Sequence, residues 1–304
     1  MQFKYLLSKE DIIDHITLKE YKYDILDVNI LDINIKTLII KPIINNSLYE
    51  MQPIVLESID TIKYLMEKLW IAQSNNGYYI DEKNISLKNQ VVFSKIIESV
   101  KYHCPSNLLD VGYANRSFYD FLKKNELNPK YIGVDILDFN YDDFETIQAN
   151  ANALPFDKNS FDLINMSLLL LNSIDPFSII NEAGKALKKN GMLLITDINS
   201  KYYKASGVYI KKLDEWEFIK VIETEDIFFT IKTLGRRKFF FHAFHEFNLY
   251  RKILESLNFL VLEDKEFGLT EEIIRPIYSK KIIKSFSRDL KYPSFHFLKS
   301  QKII

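Results

Sequence analysis

Two acidic residues stand where a ligand would need them. Asp110 lies in Asn107-Leu108-Leu109-Asp110-Val111-Gly112-Tyr113-Ala114-Asn115-Arg116, and Asp135 ends Tyr131-Ile132-Gly133-Val134-Asp135. Each run is an apolar strand pattern that finishes in a turn. In a parallel sheet such turns gather at the carboxyl edge, where nucleotide-like ligands bind. Gly112 has no Cβ, so the backbone there can approach a ligand closely. A carboxylate at Asp135 can accept from both hydroxyls of a ribose, and it follows the glycine turn by about 20 residues, the spacing of a dinucleotide fold. Each motif also has a plain reading: a strand–turn–helix without a ligand, or a strand-end aspartate that caps a helix.

Proton transfer would need a titratable group. The run Phe239-Phe240-Phe241-His242-Ala243-Phe244-His245-Glu246 supplies two histidines. Either His242 or His245 can bind substrate or act as a general base. Structural packing is the competing reading for both. Their spacing also suits metal ligation, but no third ligand accompanies them and no metal is expected. The chain holds 22 phenylalanines and 18 tyrosines. Tyr78, Tyr79, Tyr113, Trp216 and Phe241 are candidates to line an apolar pocket, with Tyr113 first because it lies inside the turn. The core is the ordinary place for such residues.

These residues need a scaffold. From about residue 85, strand and helix patterns alternate. Helices are expected over 87–100, 117–125 and 177–188, the last stopped by Asn190-Gly191. Strands are expected over 107–111, 131–135, 146–150, 192–197 and from Phe161 toward 170. That alternation predicts an α/β fold: a mostly parallel sheet with helices on both faces. Beyond Ser200, extended segments are expected over 216–231 and 237–241, a helix over 248–257, a strand over 259–263 and a final antiparallel strand over 294–299. Residues 1–80 read as a small α+β element. Alternation over 23–44 suggests short strands or a hairpin, and 53–72 suggests an amphipathic helix beginning near Pro53. Ser74-Asn75-Asn76-Gly77 is the expected linker. The division is therefore 1–80, a lid or dimerisation element, and 81–304, with a substrate-side insertion at about 200–247.

Over 87–267 the chain resembles a class I S-adenosylmethionine-dependent methyltransferase, with four motifs in the family's order. The first is the glycine turn; the second is the strand ending at Asp135. The third is Asn150-Ala151-Asn152-Ala153-Leu154-Pro155-Phe156 with Asn159-Ser160-Phe161-Asp162-Leu163-Ile164, and the fourth is the segment 181–197. The resemblance implies a Rossmann-like sheet and methyl transfer from S-adenosyl-L-methionine to an oxygen, nitrogen or carbon of a small molecule, with S-adenosyl-L-homocysteine as product. Asp110 would then accept from the cofactor's ammonium, directly or through water. Gly112, Tyr113 and Ala114 would lie along its methionine part. Asp135 would hold the ribose, with Ile136 beside it. Asn150 would meet the adenine amino group through its carbonyl oxygen, Ala151 would offer backbone contacts, and Ser167 joins the cofactor-binding set. The family usually has glycine where Ala114 and Arg116 stand. Many relatives carry a leucine-glutamate-histidine triplet before Asp-Pro; here Leu170-Leu171-Asn172 precedes Asp175-Pro176, so no catalytic histidine is carried over.

Composition bounds the partners. Among 304 residues, Lys and Arg number 40 against 41 Asp and Glu, a net charge of −1. That balance gives no global attraction to nucleic acid or anionic membrane. A basic cluster over 275–302 is the exception; a solvated helix plus an edge strand is its bland reading. The single cysteine, Cys104, excludes an internal disulfide and suits a cytoplasmic setting. No apolar run is long enough to span a bilayer, and the first ten residues contain no signal-like stretch. A small-molecule acceptor is expected, a homodimer is possible and nucleic acid is disfavoured. The rival readings are an RNA or protein methyltransferase, and a non-catalytic binding protein with a degenerate fold, suggested by Ala114, Arg116 and Asn172.

Overall fold

The computed structural model describes residues 87–173, 175–202, 245–278, 283 and 286–304. It also describes the backbone of strands at 22–23, 37–38, 42–44, 47–48, 54–55, 218–223, 227–234 and 238–244. The chain divides into two compact units. One gathers 79–170, 175–206 and 246–304; the other gathers 1–78, 171–174 and 207–245.

The larger unit is built on a seven-stranded sheet. Its strands are β1 (Asn107–Val111), β2 (Lys130–Asp135), β3 (Glu145–Gln148), β4 (Phe161–Ser167), β5 (Leu187–Ile198), β6 (Phe259–Phe267) and β7 (Phe295–Lys302). The spatial order is β3-β2-β1-β4-β5-β7-β6. Strands β1 to β5 pair in parallel, while β7 runs antiparallel to both β5 and β6. The order reverses between β1 and β4. The crevice above their carboxyl ends is where an open α/β sheet takes its ligand.

Helices α1 (Leu87–His103), α2 (Ser117–Lys124), α3 (Pro176–Ala186) and α4 (Phe247–Ser256) cover the sheet. Strand alternation divides the apolar side chains between two cores. Leu108, Tyr131, Leu163 and Leu194 meet α1 and α2 on one face, through Val92, Ile96, Phe118 and Leu122. Leu109, Val134, Ile164 and Ile195 meet α3 and α4 on the other, through Ile180, Ala183, Tyr250 and Leu254. Both faces of the sheet are therefore covered, as the alternating sequence requires. Helix α3 starts sharply because Asp175 accepts from Ser178 N at 3.1 Å and Pro176 opens the first turn.

Three expectations change. Helix α3 ends at Ala186 rather than at Asn190-Gly191. Leu187 is already extended and pairs with Phe161, Asn190 sits at φ 63°, and the register shifts between Leu187 and Met192. The Asn-Gly pair thus marks an irregularity inside β5. The helix expected from Pro53 does not start there, since Ile54–Val55 pairs with Thr37–Leu38 as a strand; the remainder of that segment lies outside the described residues. The last strand is not an edge. β7 lies between β5 and β6, and its lysines have partners: Lys299 faces Glu263 at 3.5 Å, and Lys302 donates to Leu187 O at 2.7 Å.

In the smaller unit, the strands Phe218–Glu223, Ile227–Leu234 and Lys238–His245 form an antiparallel sheet. Lys22–Tyr23, Pro42–Ile44 and Ser47–Leu48 form another. The linker expected at 74–77 lies outside the described residues.

Candidate functional site

The turn after β1 needs an unusual backbone. Gly112 has φ 75°, and its N–H donates to Val134 O at 2.7 Å. A Cβ there would lie 2.8 Å from Leu169 Cδ1, so the loop after β4 closes directly on the glycine. Ala114 takes φ 55° and Leu168 φ 56°. Left-handed backbone costs a residue with a Cβ roughly 1–2 kcal/mol. The strained residues sit on the two loops that flank the switch point, where strain tends to mark function.

Asp135 holds this turn. Its Oδ2 accepts from Ala114 N at 3.0 Å and its Oδ1 from Leu137 N at 3.0 Å. Burial pushes its pKa up, and those backbone N–H groups pull the other way. The Ile136 N–H also stabilises the ionised form, and a carboxylate offers about four acceptor sites, so acceptor capacity remains for a ligand hydroxyl. Ile136 follows, its carbonyl accepting from Gln148 Nε2 at 3.1 Å.

Asp110 points elsewhere. It is 3% exposed, within the face that α1 and α2 cover. Tyr131 OH donates to Oδ2 at 2.6 Å and Asn165 Nδ2 donates to Oδ1 at 2.7 Å. Burial raises its pKa to about 6 despite these donors. Direct contact with a ligand's ammonium is therefore not the arrangement found; the carboxylate lies beneath the sheet edge, and protein donors meet both oxygens. Tyr131 and Asn165 were not anticipated from the sequence. Their signal was parity: Asn165 falls in an apolar strand, and a buried amide needs partners.

Tyr113 likewise turns inward. It is 5% exposed, with its ring edge-on to Phe139, Tyr141 and Phe144 and its hydroxyl 3.3 Å from Phe139 O. It also fills the space that a Cβ on Gly133 would need, with ring atoms 2.8 Å away. It is a core residue, not a pocket wall. Arg116 has φ −72°, so its backbone does not require glycine. Its guanidinium binds Asp120 at 3.0 Å and Asp143 at 2.5 Å, tying α2 to the loop before β3.

Asn150 forms a local turn, its Oδ1 accepting from Asn152 N at 3.0 Å. Ala151 packs against the α3–α4 core. Ser167 ends β4, and its hydroxyl donates to Asn165 Oδ1 at 3.1 Å.

His245 lies in the smaller unit and is buried, with Nε2 2.6 Å from Ser173 O. A carbonyl only accepts, so Nε2 carries the proton and is not a base in this arrangement. The side chain of His242 lies outside the described residues, as do those of Tyr78, Tyr79, Trp216 and Phe241. No cluster of three metal-ligating residues occurs among the described residues. Among them, too, no helix is long and apolar enough to cross a membrane.

Known proteins match this frame. Residues 109–195 match the family model described as a methyltransferase domain. A ubiquinone/menaquinone biosynthesis C-methyltransferase, UbiE, from Hahella chejuensis is 38% identical over 65 residues, 21% of this chain and 26% of that protein. A mitochondrial 2-methoxy-6-polyprenyl-1,4-benzoquinol methylase from Caenorhabditis elegans is 29% identical over 97 residues, 32% of each. The chain thus spans about a quarter to a third of these curated relatives. In structure, it resembles the Burkholderia thailandensis 1,6-didemethyltoxoflavin-N1-methyltransferase, solved with 1,6-didemethyltoxoflavin and S-adenosylhomocysteine. The TM-score is 0.52 at 9% identity, covering 93% of this chain and 100% of that one, a likeness of fold. The sheet order, the glycine turn at its switch point and the matched segment converge: residues 109–195 form a methyltransferase domain, and the sheet that carries them has the class I, Rossmann-like arrangement.

Proposed function

We propose that the protein transfers the methyl group of S-adenosylmethionine to a small molecule, leaving S-adenosylhomocysteine. The observation that carries this reading is the Gly112 turn bound to Asp135 at the point where the strand order reverses. Asp135 would hold the ribose hydroxyls with its remaining acceptor sites. The backbone of 112–114 would border the methionine part, and Asn150 and Ala151 the adenine. In this reading the cofactor supplies a sulfonium-activated methyl group, and the protein's share is alignment of the acceptor for in-line attack.

The two curated relatives act on quinone-type rings by their names, which supports an aromatic, quinol-like acceptor and methylation at carbon as the finer proposal. RNA or protein methylation draws less support, because Lys299 and Lys302 are held by Glu263 and Leu187 rather than displayed. A cytoplasmic setting and an accessory role for residues 1–80 as lid or dimer surface belong to the same proposal.

Calorimetry with S-adenosylhomocysteine tests it. Wild type is expected to bind in the micromolar range or tighter. Asp135→Ala removes an acceptor of charged hydrogen bonds worth about 1.5–3 kcal/mol each, so affinity should fall at least 10-fold. Absence of binding at high micromolar ligand sinks the enzyme reading; unchanged binding in Asp135→Ala refutes the site.

A further inference from the structure

Asp110 is too deep to reach a ligand, yet it is joined to the sheet edge by bonds whose directions are fixed. An ionised carboxylate only accepts, so the Asn165 amide must turn its nitrogen toward Asp110. Its oxygen then faces Ser167, and the serine hydroxyl must donate. The three contacts measure 2.6 Å from Tyr131 to Asp110, 2.7 Å from Asn165 to Asp110 and 3.1 Å from Ser167 to Asn165. They cross β2, β1 and β4 on one face of the sheet, with Asp110 and Asn165 directly paired across β1 and β4. At the end stands Ser167 Oγ, half-buried at the carboxyl edge, its proton spent inward. No donor to this oxygen occurs among the described residues. In register beside it on β5, the fully buried Thr196 hydroxyl has no partner among the described residues either.

We propose that Asp110, Asn165 and Ser167 form a directional relay that leaves Ser167 Oγ as an acceptor for the ammonium of the cofactor's methionine end. Asp110 and Asn165 are positioning residues in this scheme; Ser167 alone touches the ligand. The proposal rests on the cofactor reading above. It assigns Asn165 a role, and it returns to Asp110 an indirect form of its expected one. Charge alternates along the path in the sense that favours a cation: the carboxylate polarises the amide, and the amide polarises the hydroxyl.

The test compares S-adenosylhomocysteine with its deamino analogue, which lacks only the ammonium, by calorimetry at about pH 8, where Asp110 is ionised. Ser167→Ala should weaken S-adenosylhomocysteine roughly 10-fold and leave the deamino analogue within about twofold. Ser167→Thr, which keeps the hydroxyl, should restore the difference. Asn165→Ala should reduce the preference for the amine although Ser167 is intact. If that variant fails to fold, the exchange Asp110→Asn with Asn165→Asp keeps Tyr131 and Ser167 as donors, reverses only the bond between positions 110 and 165, and leaves a carboxylate to accept from Ser167, so the preference should recover. Equal losses for both ligands, or none, in Ser167→Ala overturn the relay while the cofactor reading stands. A wild type that binds neither ligand sinks both.

Discussion

At Gly112 two costs compete, and a double variant separates them. Alanine there would meet Leu169 Cδ1 at 2.8 Å and would also have to adopt φ 75°. The methyl lies at the far end of a flexible side chain and can swing aside, whereas the backbone angle cannot relax without breaking the bond to Val134 O. The backbone cost of about 1–2 kcal/mol should dominate. Gly112→Ala is therefore expected to lose roughly that much stability in urea unfolding, and adding Leu169→Ala should not restore it. Recovery in the double variant would make the side-chain clash the principal cost. Arg116 is the opposite case. Its ordinary φ means the missing third glycine leaves no strain, so Arg116→Gly should cost under about 1 kcal/mol, the scale of exposed ion pairs. The sequence showed both departures from the glycine pattern, but it could not distinguish Ala114, which carries strain, from Arg116, which does not, because the distinction lies in φ.

At the scale of elements, the strands and helices of the larger unit were legible because apolar periodicity directly records burial on two faces. The expected strand 107–111 is β1 itself, and the expected helix 248–257 differs from α4 by one residue at each end. What was hidden depended on neighbours across the sheet. Asn190-Gly191 reads locally as a helix stop, and only the pairing of Leu187 with Phe161 reveals that the strand has already begun. The lysines of β7 read as an edge signature, yet β6 covers that edge and Glu263 meets Lys299. Asp110 shows the same limit: its type and spacing marked a ligand site, while its pairing with Asn165 decided which way it faces. Thr196 yields a prediction at this scale. Its hydroxyl is buried on β5 without a partner among the described residues, and valine has nearly the same shape. Removing an orphaned polar atom should raise stability by about 1 kcal/mol. Denaturant titration of Thr196→Val checks this, and a loss of stability would mean that the hydroxyl is satisfied.

For the whole molecule, the buried acid beneath the site should shape stability across the pH range. Asp110 titrates at about 6 in the folded chain, against about 3.9 for an unfolded aspartate. Above pH 6 it is charged in both states, and the full cost of burying that charge weighs against folding. As the pH falls from 6 toward 4, the folded chain takes up a proton that the unfolded chain does not. Stability must then rise, by up to about 3 kcal/mol from this residue. Asp135, also raised by burial, acts in the same direction. Asp162, Glu263, Asp264 and Asp289 act oppositely. Burial alone would raise each one, but partners such as Lys188, Lys95, His296 and Lys88 hold them below their usual range, so their contributions fade at lower pH, below about 4. Comparison with Asp110→Asn isolates the single carboxyl. The stability difference between wild type and variant should shift toward wild type as urea unfolding moves from pH 7 to pH 4.5. In Tyr131→Phe, loss of the donor at 2.6 Å should raise the pKa of Asp110 further and start that shift at higher pH. A difference that stays flat with pH would mean that Asp110 ionises near 4 in the folded protein and that its burial costs little.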